Sequence, residues 1–207
     1  MIEQHVELHV DPACPWCWLT ALWLFEAERH RPLSVETKVF SLAEVNRGAD
    51  DKRHAHDAGE QALRVLVAAR RAGGEQAIRN VYMQISEAHH ERVEPLHESA
   101  TLEAAVAAAG VERSVVSEAL ADESTLTEVL TEHAQAVERG VFGVPTLSVD
   151  GSAPYFGPIV DTRITGEDAG RLWDMVAPIL VHPRVFELKR RRTGRPEVGR
   201  HRLRAAG

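Results

Sequence analysis

His5-Val6-Glu7-Leu8-His9-Val10, then Asp11-Pro12-Ala13, then Cys14-Pro15-Trp16-Cys17-Trp18-Leu19-Thr20: this stretch decides the fold. The first six residues alternate apolar and polar, as a strand with one buried face requires. Cys14 and Cys17 are the only two cysteines among 207 residues and sit at CxxC spacing. Trp18-Leu19-Thr20 opens a helix-like run. Strand, short turn, CxxC and helix form the layout of a thiol–disulfide redox centre. In the first helical turn, the Cys14 sulfur would face unpaired backbone N–H groups and the positive end of the helix dipole, both of which stabilise a thiolate. Cys17, one turn on, is placed to resolve a mixed disulfide. Pro15 fixes φ at an early helical position where the missing N–H costs little.

Two other readings attach to the same residues. CxxC also serves as half of a zinc site, and His54-Ala55-His56 or His89-His90 could supply the remaining ligands. The pair could equally be two buried, inert thiols. A second CxxC is absent from the sequence, so the redox reading leads, with no metal expected.

Composition narrows the class. Hydrophobic residues at 44% and charged residues at 27% are ordinary for a globular domain, and 207 residues suffice for a substantial core. The start, Met1-Ile2-Glu3-Gln4-His5, carries no basic stretch followed by an apolar run, and no segment reaches transmembrane length. A cytoplasmic location without membrane contact is the expectation, and there a CxxC is catalytic more often than structural. Residues 184–207 hold nine Lys/Arg against two Glu, so residues 1–183 carry −14 of a chain whose net charge is −7. The cluster Lys189-Arg190-Arg191-Arg192 could touch nucleic acid or an acidic surface. With no interleaved aromatics, a tail docked on the chain's own acidic body is the preferred reading, and nucleic acid is not expected as a partner.

Leu33-Ser34-Val35-Glu36-Thr37-Lys38-Val39 alternates again, completing a βαβ unit over residues 5–40 with parallel strands and a right-handed crossover. Residues 57–137 are rich in Ala, Glu and Arg. Gly73-Gly74, Pro95 and Gly110 punctuate them into four or five helices. Thr125 and Glu128 form a candidate capping box for the last, which ends at Gly140. Strand character resumes at Thr146-Leu147-Ser148-Val149. Asp150-Gly151 marks a hairpin, Ala153–Phe156 the return strand, and a final helix starts near Thr165 with Leu172, Trp173, Val176 and Ile179 on one face. Pro178 should bend or limit that helix. The fold class is therefore α/β: a thioredoxin core (residues 1–52 and 138–207) interrupted by a helical domain (residues 53–137).

At this point the chain resembles the DsbA-like branch of the thioredoxin superfamily, through Asp11–Trp18 and Gly140-Val141-Phe142-Gly143-Val144-Pro145-Thr146. It is further similar to mycothiol-dependent nitroreductases in Phe40–Asn46, Phe156-Gly157-Pro158, Gly166–Asp174 and Phe186–Arg190. The resemblance implies a cytosolic enzyme without a tightly bound cofactor, using mycothiol as cosubstrate to reduce disulfides and nitroaromatic compounds. It makes Cys14 and Cys17 the catalytic pair. It places Trp16, Asn46, His90, Val144 and Pro145 at the substrate site, with a cis bond before Pro145 exposing the Val144 backbone to a thiol substrate. The family's pocket tyrosine falls in a divergent stretch near His54–His56.

Individually, Trp16 reads as a partly exposed wall on which a flat substrate could stack, and Trp18 and Trp23 as core. Asp11 could exchange a proton with Cys17 through water, or serve as a turn residue. Glu7 is expected to face solvent. His90 could stabilise the Cys14 thiolate or hold a substrate acceptor group. Asn46 could donate to substrate or cap the next helix. The run Phe156–Val160 could contribute to a homodimer contact. Competing functions are an oxidative protein-folding catalyst, a kappa-type glutathione transferase or isomerase, and a nucleic-acid-binding or scaffold protein working through the arginine tail.

Overall fold

The computed structural model describes residues 3–47 and 53–199, with side chains in the second stretch from Gly59 onward. Strand β1 (Gln4–Val10), helix α1 (Pro15–Glu28) and strand β2 (Leu33–Val39) come first. Helices α2 (Leu42–Val45), α3 (Arg53–Glu91), α4 (Ser99–Ala108), α5 (Ser114–Ala121) and α6 (Glu123–Glu138) follow. Strands β3 (Thr146–Val149) and β4 (Tyr155–Phe156) and helix α7 (Glu167–Leu180) close the chain. No described helix is long and apolar enough to cross a membrane.

The sheet runs β2-β1-β3-β4. β1 pairs parallel with β2, Val6 opposite Val35, and antiparallel with β3, Leu8 opposite Leu147. Alternation sorts the faces: Val6, Leu8 and Val10 are wholly buried, while Glu7 and His9 point to the other side. Helix α1 is buried nearly all round, from Cys17 to Ala27, because it lies between α7, β2 and α3. Trp23 and Trp173 meet with ring centroids 6.2 Å apart. Each indole N–H is satisfied, Trp23 by the carbonyl of Ala169 and Trp173 by the side chain of Gln4.

The second face of the sheet departs from expectation. Glu7 does not face solvent: it pairs with Arg139 at 2.6 Å and its side chain is only 17% exposed. Helices α3 and α6 pass over this face, and their Arg70, Glu75 and Glu132, with Arg139 just past the end of α6, join Glu7, His9, Glu36 and Lys38 around a polar cavity of about 380 Å³. Strand periodicity shows which residues share a face, not what covers it.

Helix α3 is broken where the glycine pair predicts. Gly74 has φ +69° and ψ −161°, a conformation that costs an L side chain heavily. The capping box expected at Thr125 is absent. Helix α6 starts at Glu123, with the Asp122 carboxylate accepting the Ser124 amide at 2.9 Å. Thr125 is instead buried against the carbonyls of Ala119 and Asp122. Arg64 donates to Thr125 Oγ1 and to the carbonyls of Ala119, Leu120 and Asp122. A buried guanidinium thus satisfies the orphan acceptors at the end of α5. The hairpin turn forms as read, with Asp150 at φ 49°, Gly151 at φ 74° and the Ser152 amide donating to Val149. The return strand is shorter than expected, only Tyr155–Phe156. Pro178 lies in the last turn of α7.

Candidate active site

β1 delivers the chain into a tight turn at Asp11-Pro12-Ala13. The Asp11 carboxylate accepts the amide of Ala13 at 2.8 Å and that of Leu42, at the start of α2, at 2.9 Å, and the Cys14 amide donates to the Asp11 carbonyl. Asp11 is buried, and loss of solvation raises its carboxyl to about 6 even though the two amides pull it down. Asp11 is therefore the turn residue of the sequence reading, and also a buried acid that titrates near neutrality.

Cys14 is the N-cap of α1 rather than a residue of its first turn, with Pro15 as the first helical residue. Its sulfur accepts the Cys17 amide at 3.3 Å and faces the Val144 carbonyl at 3.8 Å. Both cysteines are free thiols; Cys14 is 6% exposed and Cys17 is sealed. The environment drives them apart. The Cys14 thiol is held below its ordinary value, first by the Cys17 thiol donating to it and then by backbone amides, against the cost of burial. Cys17 is pushed well up, first by burial and then by the adjacent Cys14. One sulfur, the less buried of the two, is thus the readier thiolate and the other a protonated reserve.

The Val144–Pro145 bond is cis, and so is Gly157–Pro158. The Pro145 carbonyl accepts the Gly157 amide at 2.9 Å, and the Pro158 carbonyl accepts Thr20 Oγ1 from α1 at 3.0 Å. The two proline loops are therefore tied to each other and to the redox helix. Trp16 is half-buried, and the guanidinium carbon of Arg192 lies 5.0 Å from its ring centroid. Trp18 and Trp23 are core residues, Trp18 donating its indole N–H to Glu91 at the end of α3.

His90 reaches the site from α3, but not as a cation. Its Nε2 lies 2.8 Å from the Pro12 carbonyl, so that nitrogen carries the proton. Burial, aided by His89, lowers its pKa to about 3. It therefore braces the redox turn as a neutral donor, and the thiolate-stabilising charge expected of it is not available. Asn46 caps the helix behind it, not the next: its amide donates to the Leu42 carbonyl at 2.7 Å.

Two residues went unrecognised in the sequence. Tyr82 of α3 is wholly buried, and its ionisation is opposed by burial and then by the charges of Cys17 and Cys14, with the Ser86 hydroxyl beside it acting in the other direction. Gly59 packs so closely on the redox turn that a Cβ there would stand 3.0 Å from Asp11 Oδ1 and 3.3 Å from the Ala13 Cβ. Nothing local marks either, since a tyrosine on an apolar helix face reads as core. Among the described residues no group of three His, Cys, Asp or Glu could hold a metal, and the side chains of His54 and His56 lie outside them.

The family model for the mycothiol-dependent nitroreductase Rv2466c (Rv2466c-like) matches residues 13–190. The uncharacterized protein Rv2286c of Mycobacterium tuberculosis is 29% identical over 189 residues, covering 89% of this chain and 81% of that protein. Among solved structures, the oxidoreductase DsbA of Xylella fastidiosa superposes with a TM-score of 0.58 at 17% identity, covering 85% of each chain. The cytosolic disulfide reductase DsbM of Pseudomonas aeruginosa gives 0.55 at 16% identity, over 84% of this chain and 96% of that one. The architecture is that of DsbA-like thioredoxin-fold proteins.

Proposed function

Because this chain belongs to the Rv2466c-like family, the mycothiol-dependent nitroreductases, we propose that Cys14 and Cys17 reduce disulfides and flat nitroaromatic compounds, with mycothiol restoring the dithiol. Thiol–disulfide oxidoreduction is the activity of the class. The observation that carries it is the opposed pair of sulfurs: Cys14 with lowered pKa at the helix N-cap, Cys17 sealed behind it with its pKa raised.

The Cys14 thiolate attacks one sulfur of a substrate disulfide, the S–S bond breaks, and the other half leaves as a thiolate. The substrate lies along the Val144 backbone beside Pro145, where the Val144 carbonyl already faces Cys14 Sγ. Cys17 then loses its proton and attacks Cys14 Sγ, expelling the second thiolate and leaving a Cys14–Cys17 disulfide. Asp11 is the acceptor for that proton. Its backbone amide meets the Cys17 sulfur, and a carboxyl titrating near 6 is mostly ionised at neutral pH. Two mycothiol molecules return the enzyme to the dithiol, one forming a mixed disulfide and the second displacing it as mycothiol disulfide. A nitro group takes the same two electrons and two protons, giving nitroso and water. Trp16 is the stacking wall, His90 and Asn46 hold the turns that frame the pocket, and a reducing cytoplasm suits this direction of flow.

The test is to incubate the Cys17→Ser variant with oxidised mycothiol and weigh the protein. A single mycothiol adduct on Cys14 is the expected product. Equal modification of Cys14→Ser, or no adduct at all, overturns the assignment.

A further inference from the structure

After α7 the chain returns to the redox site. The Glu197 amide donates to the Asp161 carbonyl at 2.7 Å, and Asp161 follows the Pro158 loop that Thr20 ties to α1. Pro196 and Val198 are partly buried at this anchorage. Upstream of it lies the basic cluster, and Arg192 alone of the four sits on an aromatic ring, the indole of Trp16. Lys189 pairs loosely with Glu187 in solvent. Among the described residues Arg192 has no carboxylate partner, although residues 1–183 carry fourteen net negative charges. An unpaired cation has thus been set beside the CxxC tryptophan by a tail anchored further on.

An exposed cation–π contact is worth a factor of about two to five in an equilibrium. That is enough to compete for the indole face and weak enough to give way. A flat ring stacking on Trp16 needs the surface the guanidinium covers, and a displaced guanidinium needs an anion.

We propose that Arg192 is a specificity-determining residue of the redox pocket. It cedes the face of Trp16 to a flat aromatic acceptor and pairs with an acidic substituent on that acceptor, so that anionic aromatics are selected over neutral ones. This rests on the reading of Trp16 as the substrate wall. Neutral rings pay for the displacement without compensation. Carboxylated rings regain it as an ion pair worth up to about fivefold at such exposure.

Binding is measured on full-length protein carrying Cys14→Ser, which cannot turn over. The quenching of tryptophan fluorescence by 4-nitrobenzoate is compared with that by 4-nitrobenzyl alcohol. Contact quenching reports on Trp16 because Trp18, Trp23 and Trp173 are no more than 2% exposed. Adding Arg192→Ala should tighten the alcohol two- to fivefold and leave the benzoate within about twofold of its starting affinity, because there the freed ring face and the lost ion pair offset each other, a ligand-dependent split that general destabilisation does not produce. Arg192→Lys should retain part of the benzoate preference. Equal shifts for both ligands, or none, overturn the role of Arg192. Such a result leaves the thiol chemistry intact, whereas full disulfide reduction by Cys14→Ser would refute that chemistry and leave this binding result standing.

Discussion

The Asp11 carboxylate accepts the Leu42 amide at 2.9 Å through one oxygen while its other oxygen takes Ala13 at 2.8 Å, so one buried acid joins the redox turn to α2. Its folded-state pKa of about 6 lies above the ordinary 3.8. Folding therefore favours the protonated form: the charge costs nothing below about pH 4, and its cost, on the order of 3 kcal/mol, is complete once the pH has passed 6. Asp11→Asn removes the titration but leaves one backbone amide without an acceptor. The wild type should lose stability between pH 4 and 7 relative to Asp11→Asn in denaturant melts at fixed pH, and attack by Cys17 should slow tenfold or more in the variant. Parallel pH profiles for the two proteins would remove Asp11 from both roles.

The Cys17 thiol is the first cause of the lowered Cys14 pKa. Cys17→Ala deletes that donor and should raise the Cys14 pKa, while Cys17→Ser keeps a hydroxyl donor and should raise it less. Thiolate absorbance against pH gives both values. If Ala and Ser titrate alike, the helix end rather than the neighbouring thiol sets the ionisation.

His90 contributes in the opposite sense to Asp11. Its folded-state pKa of about 3 lies below the ordinary 6.5, so the stability it lends is present above pH 6.5 and is lost as the pH falls towards 3. The imidazole signals of His90 should stay flat from pH 8 down to about 5 in an NMR titration. His90→Phe leaves the Pro12 carbonyl without its donor and should cost about 1–3 kcal/mol. An inflection near pH 6.5 assigned to His90 would restore it as a cation at the thiolate.

Arg64 is 9% exposed, yet it donates to Thr125 and to three carbonyls where α5 ends. Its ion-pair partner among the described residues, Glu123, stands 3.7 Å away and is 80% exposed, so that contact is weak beside the four hydrogen bonds. Arg64→Met keeps much of the apolar stem and should cost about 2–4 kcal/mol in chemical denaturation, with the Cys14 pKa unchanged. Loss of less than about 1 kcal/mol would mean that water can replace the guanidinium.

What could be read in advance follows from range along the chain. Strand β1, CxxC and α1 are adjacent, and β2 is one helix away, so alternation and spacing fix them. The Gly73-Gly74 break and the Asp150-Gly151 turn are also local, because the residue type itself fixes the backbone. Contacts between distant segments escaped. Glu7 meets Arg139 across 132 residues, and Arg64 reaches Thr125 across 61. The tail's charge predicts docking on an acidic body, and Arg192 meets an indole. Charge counts predict attraction but not the partner. The resemblance brings His90 to the site, and an imidazole's ordinary pKa suggests a titrating group there, whereas its burial against Pro12 makes it neutral.

Gly59 shows how a close approach can outweigh local propensity. In a free helix, glycine to alanine gains up to about 1 kcal/mol. Here the new methyl would stand 3.0 Å from Asp11 Oδ1 and 3.3 Å from the Ala13 Cβ, and overpacking of this kind costs about 1–3 kcal/mol. The strain falls on the turn that holds Cys14, since Asp11 keeps its hydrogen bonds to Ala13 and Leu42 only in its present place. Gly59→Ala should therefore lower the unfolding free energy by up to about 2 kcal/mol. It should also slow alkylation of Cys14 at pH 7 as the cysteine moves off the helix N-cap. Melting curves and iodoacetamide kinetics read the two effects separately. A more stable protein with unchanged thiol reactivity would mean that α3 moves aside without disturbing the site.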